Sequence, residues 1–329
     1  MIDFRYHLVS LISVFLALAV GIILGAGPLQ GTIGEALEDQ VAQLRDERSA
    51  LRDDLDAANR DLAEDLRFLE ATGPQLLAGR LEGRRVAVVG LGDVSGEVHD
   101  GVLEQLDASG ATVVADVNLP ASWYDPEDAS TRETVATGLR DGLGSDVPEG
   151  VTETLAAALG VMLTDAADAG PAQSAQAQDL EDQLVRLGLL DADEDQLEAA
   201  DAVVLLAATA VEPEAAEGTT TDTETESDVW TTVAGTVQDT TGASVVAGPA
   251  DVAADVVLRV RADDALASVV STVSGIDRVA GRITVPLAIA ARLAGTVGQY
   301  GQEEDATVLP PVVDLPPDEV PDATEGSAG

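Results

Sequence analysis

Three glycines in the run Gly90-Leu91-Gly92-Asp93-Val94-Ser95-Gly96 follow an apolar stretch and precede a helical one. Glycines so placed let a backbone approach a pyrophosphate at a helix N-terminus. The spacing is G-x-G-x-x-x-G, one residue longer than the dinucleotide fingerprint. Asp116, about 20 residues after Gly96, is expected to end the second strand, where the fingerprint's ribose-binding acid would stand. The competing reading is a tight strand-to-helix turn that needs glycine. A Walker A loop is excluded because it requires a lysine and the chain has none.

Other chemistry has little to work with. The histidines are His7 and His99, so a Ser-His-Asp triad would have to use His99, and no G-x-S-x-G elbow is present. Without Cys or Lys there is no thiol nucleophile and no Schiff base. The 60 acids offer carboxylate pairs, but no spacing singles one out for glycoside hydrolysis. Soft metal ions prefer Cys and Met, and borderline ones prefer His with other N and O ligands. The chain has no Cys and only Met1 and Met162. Acid pairs such as Asp263-Asp264 suit weak binding of hard cations, and their default is solvated surface. The expectation is a protein that is not an enzyme, with no catalytic, metal or cofactor-binding residue.

The net charge of −43 repels nucleic acid, whose binding rests on neutralised phosphates. An acidic, highly solvated surface explains that charge, and a field that attracts cations is the functional alternative. No disulfide can help the fold, so it relies on a core that is mostly Val, Leu and Ala.

What must position these residues starts with an anchor. From Leu8 to Gly34 no side chain is charged. About 20 apolar residues in a helix cross a bilayer core of roughly 30 Å. Residues 1–29 are therefore expected to be a transmembrane anchor that meets lipid through residues 8–29. Arg5 and His7 precede it and the next Arg is Arg45. The positive-inside bias then puts the N-terminus in the cytoplasm and the bulk outside, as a single-pass protein of the cell membrane. The alternative is a cleaved signal peptide, with Leu24-Gly25-Ala26 as the small-residue site and export to the outer envelope.

Residues 30–74 read as a coiled-coil stalk. Leu37, Val41, Leu44, Arg48, Leu51, Leu55, Ala58, Leu62, Asp65 and Leu69 fall at alternating steps of four and three. This heptad seam spans about five heptads, broken at Arg48 and Asp65. The interface expected from it is Leu37, Val41, Leu44, Leu51, Leu55, Leu62 and Leu69. Co-anchoring in one membrane makes a parallel homodimer the simplest partner arrangement; the alternative is a long amphipathic helix on its own domain. Gly73-Pro74 is the expected end.

Residues 80–302 read as an α/β domain. Arg85–Gly90, a helix over Gly96–Ser109 and Ala111–Val117 form one β-α-β unit. Ala202–Ala207 and Ala243–Ala247 repeat the short apolar strand. Helices are expected around 131–142, 149–164 and 175–189, with a short one over Glu194–Ala199. Such alternation argues for a layered, Rossmann-like α/β domain. The Thr- and acid-rich segment 212–228 reads as a disordered loop, and 303–329 as a disordered acidic tail.

The opening IDFRYHLVSLISVFLALAVGIILG resembles the start of an actinobacterial family named after the mycobacterial copper transport protein MctB, which includes SteB. The similarity returns near Gly281–Gly301, GRITVPLAIAARLAGTVGQYG. The resemblance implies copper homeostasis or transport at the cell envelope. Its SteB-like members imply an alternative, a single-span coiled-coil scaffold that binds a SteA-like membrane partner and regulates cell-wall hydrolysis during division. The residues themselves fit the scaffold better. No series of alternating strands with aromatic girdles marks a barrel, and copper ligands are nearly absent.

Overall fold

The computed structural model describes residues 4–26, 29–144, 148–167, 170–192, 197–210 and 225–316. It forms two compact units, residues 1–67 and 68–329.

The first unit holds α1 (Phe4–Ala26) and most of α2 (Leu29–Leu77). Leucines, valines and isoleucines cover α1 on every side, and none is buried: Phe15, Leu16 and Ile23 are all more than 60% exposed. Among the described residues, Phe4–Gly25 is the one stretch long and apolar enough to cross a membrane. A helix that is apolar all round and covered by nothing has lipid as its natural solvent.

The second unit is built on β1 (Arg85–Leu91), α3 (Gly96–Ala108) and β2 (Thr112–Leu119), then α4 (Ala129–Leu143), α5 (Val151–Thr164) and α6 (Ala175–Arg186). It continues through β3 (Asp191–Ala192), β4 (Ala202–Ala207), α7 (Glu226–Thr241), β5 (Ser244–Gly248), α8 (Val256–Ala262) and α9 (Asp264–Ala267). It closes with β6 (Ser271–Ser274), α10 (Val279–Leu293) and β7 (Gln299–Tyr300). The sheet order is β3-β2-β1-β4-β5-β6-β7. All neighbours are parallel except β3, which runs antiparallel to β2.

The central strands are continuous apolar runs because both faces are covered. Ala87, Val89, Leu91, Val203, Leu205 and Val246 point into a core shared with α4, α5, α7 and α8. Val86, Val88, Val204, Leu206 and Val245 point the other way, onto Val102 and Leu106 of α3 and Val285 and Ile289 of α10. On the first face α5 is almost wholly buried, and it approaches α7 closely at Gly160, where a Cβ would lie 2.8 Å from Thr240. Both tryptophans lie on that face. Trp123 and Trp230 stand 6.2 Å apart between ring centroids, and Tyr124 meets Trp230 edge-on at 5.7 Å.

Four expectations need correction. Helix α2 passes through Gly73-Pro74 and ends at Leu77. The reason is packing: Leu77 is fully buried with Ile283 and Leu287 of α10, and Gly73 lies bare against Ile283. The acid-rich segment stops short of Asp228, because α7 starts at Glu226 on a capping box between Thr225 and Asp228. The rest of that segment, like residues 317–329 of the tail and the start of the short helix at Glu194, lies outside the described residues. Leu197–Ala199 are not helical; Glu198 makes a bridge to Ala172 instead. Residues 303–316 do not run free: Val313 and Leu315 pack on the core, Arg80 pairs with Asp314 at 3.4 Å, and Arg84 donates to the Pro316 carbonyl at 2.5 Å.

Candidate functional site

The strand order reverses between β1 and β4, and open parallel sheets bind ligands at the carboxyl ends of their strands at such a point. The Gly90–Gly96 turn stands there. Its Asp93, Val94 and Ser95 rim a cleft of about 190 Å³ with Thr209, Pro249 and Asp277, from beyond the ends of β4, β5 and β6.

Part of the turn's backbone is engaged within the protein. Gly92 has φ 76°, a left-handed conformation that favours glycine. Its N–H donates to the Leu119 carbonyl at 3.2 Å, and its own carbonyl accepts from Val94 N at 3.1 Å. With its amide nitrogen toward the turn, Asn118 donates to the Gly90 and Gly92 carbonyls at 3.2 and 2.8 Å. A Cβ on Gly90 would collide with the Asn118 side-chain amide, so Gly90 makes room for a side chain of β2. The carboxylates of Asp93 and Asp277 on the rim repel an anion such as a phosphate.

Asp116 is the second correction to the dinucleotide pattern. Strand β2 continues to Leu119, so Asp116 lies inside it and not at its end. Its Oδ1 is 2.8 Å from His99 Nε2 on α3. Burial lowers the His99 pKa, but the hydrogen bond and charge of Asp116, helped by Asp100, outweigh burial and raise it above the ordinary 6.5. A raised folded-state pKa stabilises below the unfolded value and loses that stabilisation as pH rises through the folded one. Urea unfolding should therefore show a contribution that is complete below about pH 6.5 and fades above it, worth at most about 1 kcal/mol for so exposed a pair. His99→Gln should flatten that slope. An unchanged slope would assign the pH dependence elsewhere.

The other chemistry-bearing residues have structural duties. Met162 is fully buried. Asp263 caps α9, accepting from Ala265 N at 2.8 Å and Leu266 N at 3.1 Å. Among the described residues no group of three His, Asp or Glu is placed to hold a metal ion. One network was invisible in the sequence. Glu303 accepts from Ser274 at 2.7 Å and Arg261 at 3.1 Å. Burial alone would raise the Glu303 pKa, and these donors hold it below the usual value instead.

The stalk residues remain. Leu44, Leu51, Leu55 and Leu62 are 57–69% exposed, Leu37 and Val41 are also open, and Leu69 is half-buried. A row of apolar side chains on one helical stripe, left largely open by the described residues, is what a helix partner would bury.

The chain matches the profile of a family described as "Copper transport outer membrane protein, MctB" over residues 1–311. Two curated relatives, each named "Copper transporter MctB", come from Mycobacterium bovis and Mycobacterium tuberculosis. Each is 29% identical over 322 residues, covering 92% of this chain and 96% of its own. The chain belongs to the MctB copper transport family.

Proposed function

We propose that this member of the MctB family serves copper homeostasis at the cell envelope as a membrane-anchored, self-associating protein. The observation that carries the copper reading is the match of nearly the whole chain to that family. Helix α1 supplies the anchor, and the charge rule supports a cytoplasmic N-terminus with the α/β domain outside. The uncovered row from Leu37 to Leu69 supports a parallel homodimer. Copper enters this account as cargo, since the sequence offers no Cys and few His or Met to hold it tightly.

The second reading comes from the sequence resemblance alone: a scaffold that holds a membrane partner in the envelope. One measurement separates the two. Total cell-associated copper is compared between a deletion strain and its complemented parent, grown in sub-toxic copper. The copper reading expects a clear rise on deletion, reversed by complementation. Equal copper in both strains would remove that reading and leave the scaffold.

A further inference from the structure

The seam of α2 continues past Leu69. The same alternation of three and four reaches Thr72 and Leu76, and the helix runs through both. Leu69, Thr72 and Leu76 form one wall of an apolar cleft of about 290 Å³. Val308 and Leu309, from the segment after β7, form the facing wall. The apolar side chains at its mouth are uncovered: Leu76 is 37% exposed, Leu309 51% and Val308 65%.

The pattern along α2 says what could cover them. With Leu55, Leu62 and Leu69 at position a of the heptad, the flanking e positions include Arg45 and Arg52 and the g positions Glu47 and Asp54. In a parallel two-stranded coil each g residue faces the e residue five places on in the partner. Glu47 of one copy then faces Arg52 of the other, an attractive pair that a second copy of this same chain supplies twice over. In the last heptad the flanks turn apolar, with Leu66 at e and Phe68 at g. Phe68 is 68% exposed in its own chain. Five places on from it is Gly73, which has no side chain and lines the cleft beside Leu69 and Leu76.

We propose that the cleft is the domain-proximal end of the dimer interface and takes the phenyl ring of Phe68 from a second copy. The ring would lie between α2 and Val308 and Leu309. A Phe side chain buries about 150–250 Å², and an acidic chain that repels its own copy needs such apolar contact. The proposal rests on the self-association reading, and its test separates the two.

Because the chain has no cysteine, engineered thiols report without background. Two differently sized tags distinguish full-length copies carrying Phe68→Cys and Leu309→Cys, co-expressed and treated in membranes with a short bis-maleimide. Leu51→Cys, crosslinked to itself, reports the stalk. A mixed band between the two tagged copies, alongside the Leu51→Cys band, supports the proposal. Leu309→Asp should then raise the dimer dissociation constant about tenfold or more. The Leu51→Cys band without the mixed band overturns the cleft contact and leaves the stalk dimer standing. Loss of both bands overturns self-association and the cleft contact with it.

Discussion

Under the pairing proposed for α2, replacing Leu44, Leu51 and Leu55 together by Asp should turn the detergent-solubilised protein into a monomer by light scattering. These side chains are 57–69% exposed in the single chain. Burying a leucine fully stabilises by about 1.5–3 kcal/mol. Three substitutions act in both copies, so six leucines lose that contribution and six carboxylates meet across one seam. The loss is on the order of 9–18 kcal/mol before repulsion is counted. That matches or exceeds the roughly 8–12 kcal/mol of a micromolar to nanomolar complex. The helix content of the α/β domain should not change, because none of the three belongs to that unit. A variant that stays dimeric would mean that association runs through another surface.

Gly281→Ala should destabilise the α/β domain by about 3 kcal/mol in urea unfolding of the full chain. The glycine sits in the first turn of α10, and a Cβ there would lie 2.1 Å from the Gly275 carbonyl oxygen and 2.9 Å from Ile276 N. These are backbone atoms, and the turn cannot simply retreat. Gly275 is held at φ 70° and its carbonyl accepts from Arg278 N at 3.0 Å. Helix α10 would have to move, carrying Val285 and Ile289 out of the core. Gly138→Ala is the control with the opposite sign. Gly138 lies inside α4 with nothing within 4 Å of its absent Cβ, so alanine there should stabilise by about 0.5–1 kcal/mol. Equal effects at both positions would show that α10 accommodates the methyl group.

The strands legible in the sequence are those whose two faces are both apolar. Ala202–Ala207 has the bounds expected of it, and β1 and β5 differ from expectation by a residue or so at their ends. Strand β6 escaped that test because three of its four residues are Ser or Thr, although all four are buried. Its polar atoms are satisfied by distant groups: Thr272 by Arg261 and Gln299, Ser274 by Glu303. Helix α7 was hidden behind the acid-rich run that precedes it. The glycine turn was visible as a turn, but its purpose was not. The decisive contacts are Asn118 on the turn and His99 on Asp116, and both cross between neighbouring elements. The cleft beside α2 was equally hidden, since Leu309 lies far along the chain from Leu69. The exposed apolar row on α2 was legible because periodicity along one helix is a local property.

The pairing of Trp123 with Trp230 gives the protein a built-in optical label. These are its only indoles, and both sit on the α4, α5 and α7 side of the sheet. Fluorescence emission therefore comes from one layer of the molecule, with Tyr124 close enough to pass excitation to Trp230. The layer formed by α3 and α10 contributes no indole light. Changes in the packing of that layer can therefore be followed by fluorescence before a single residue has been altered.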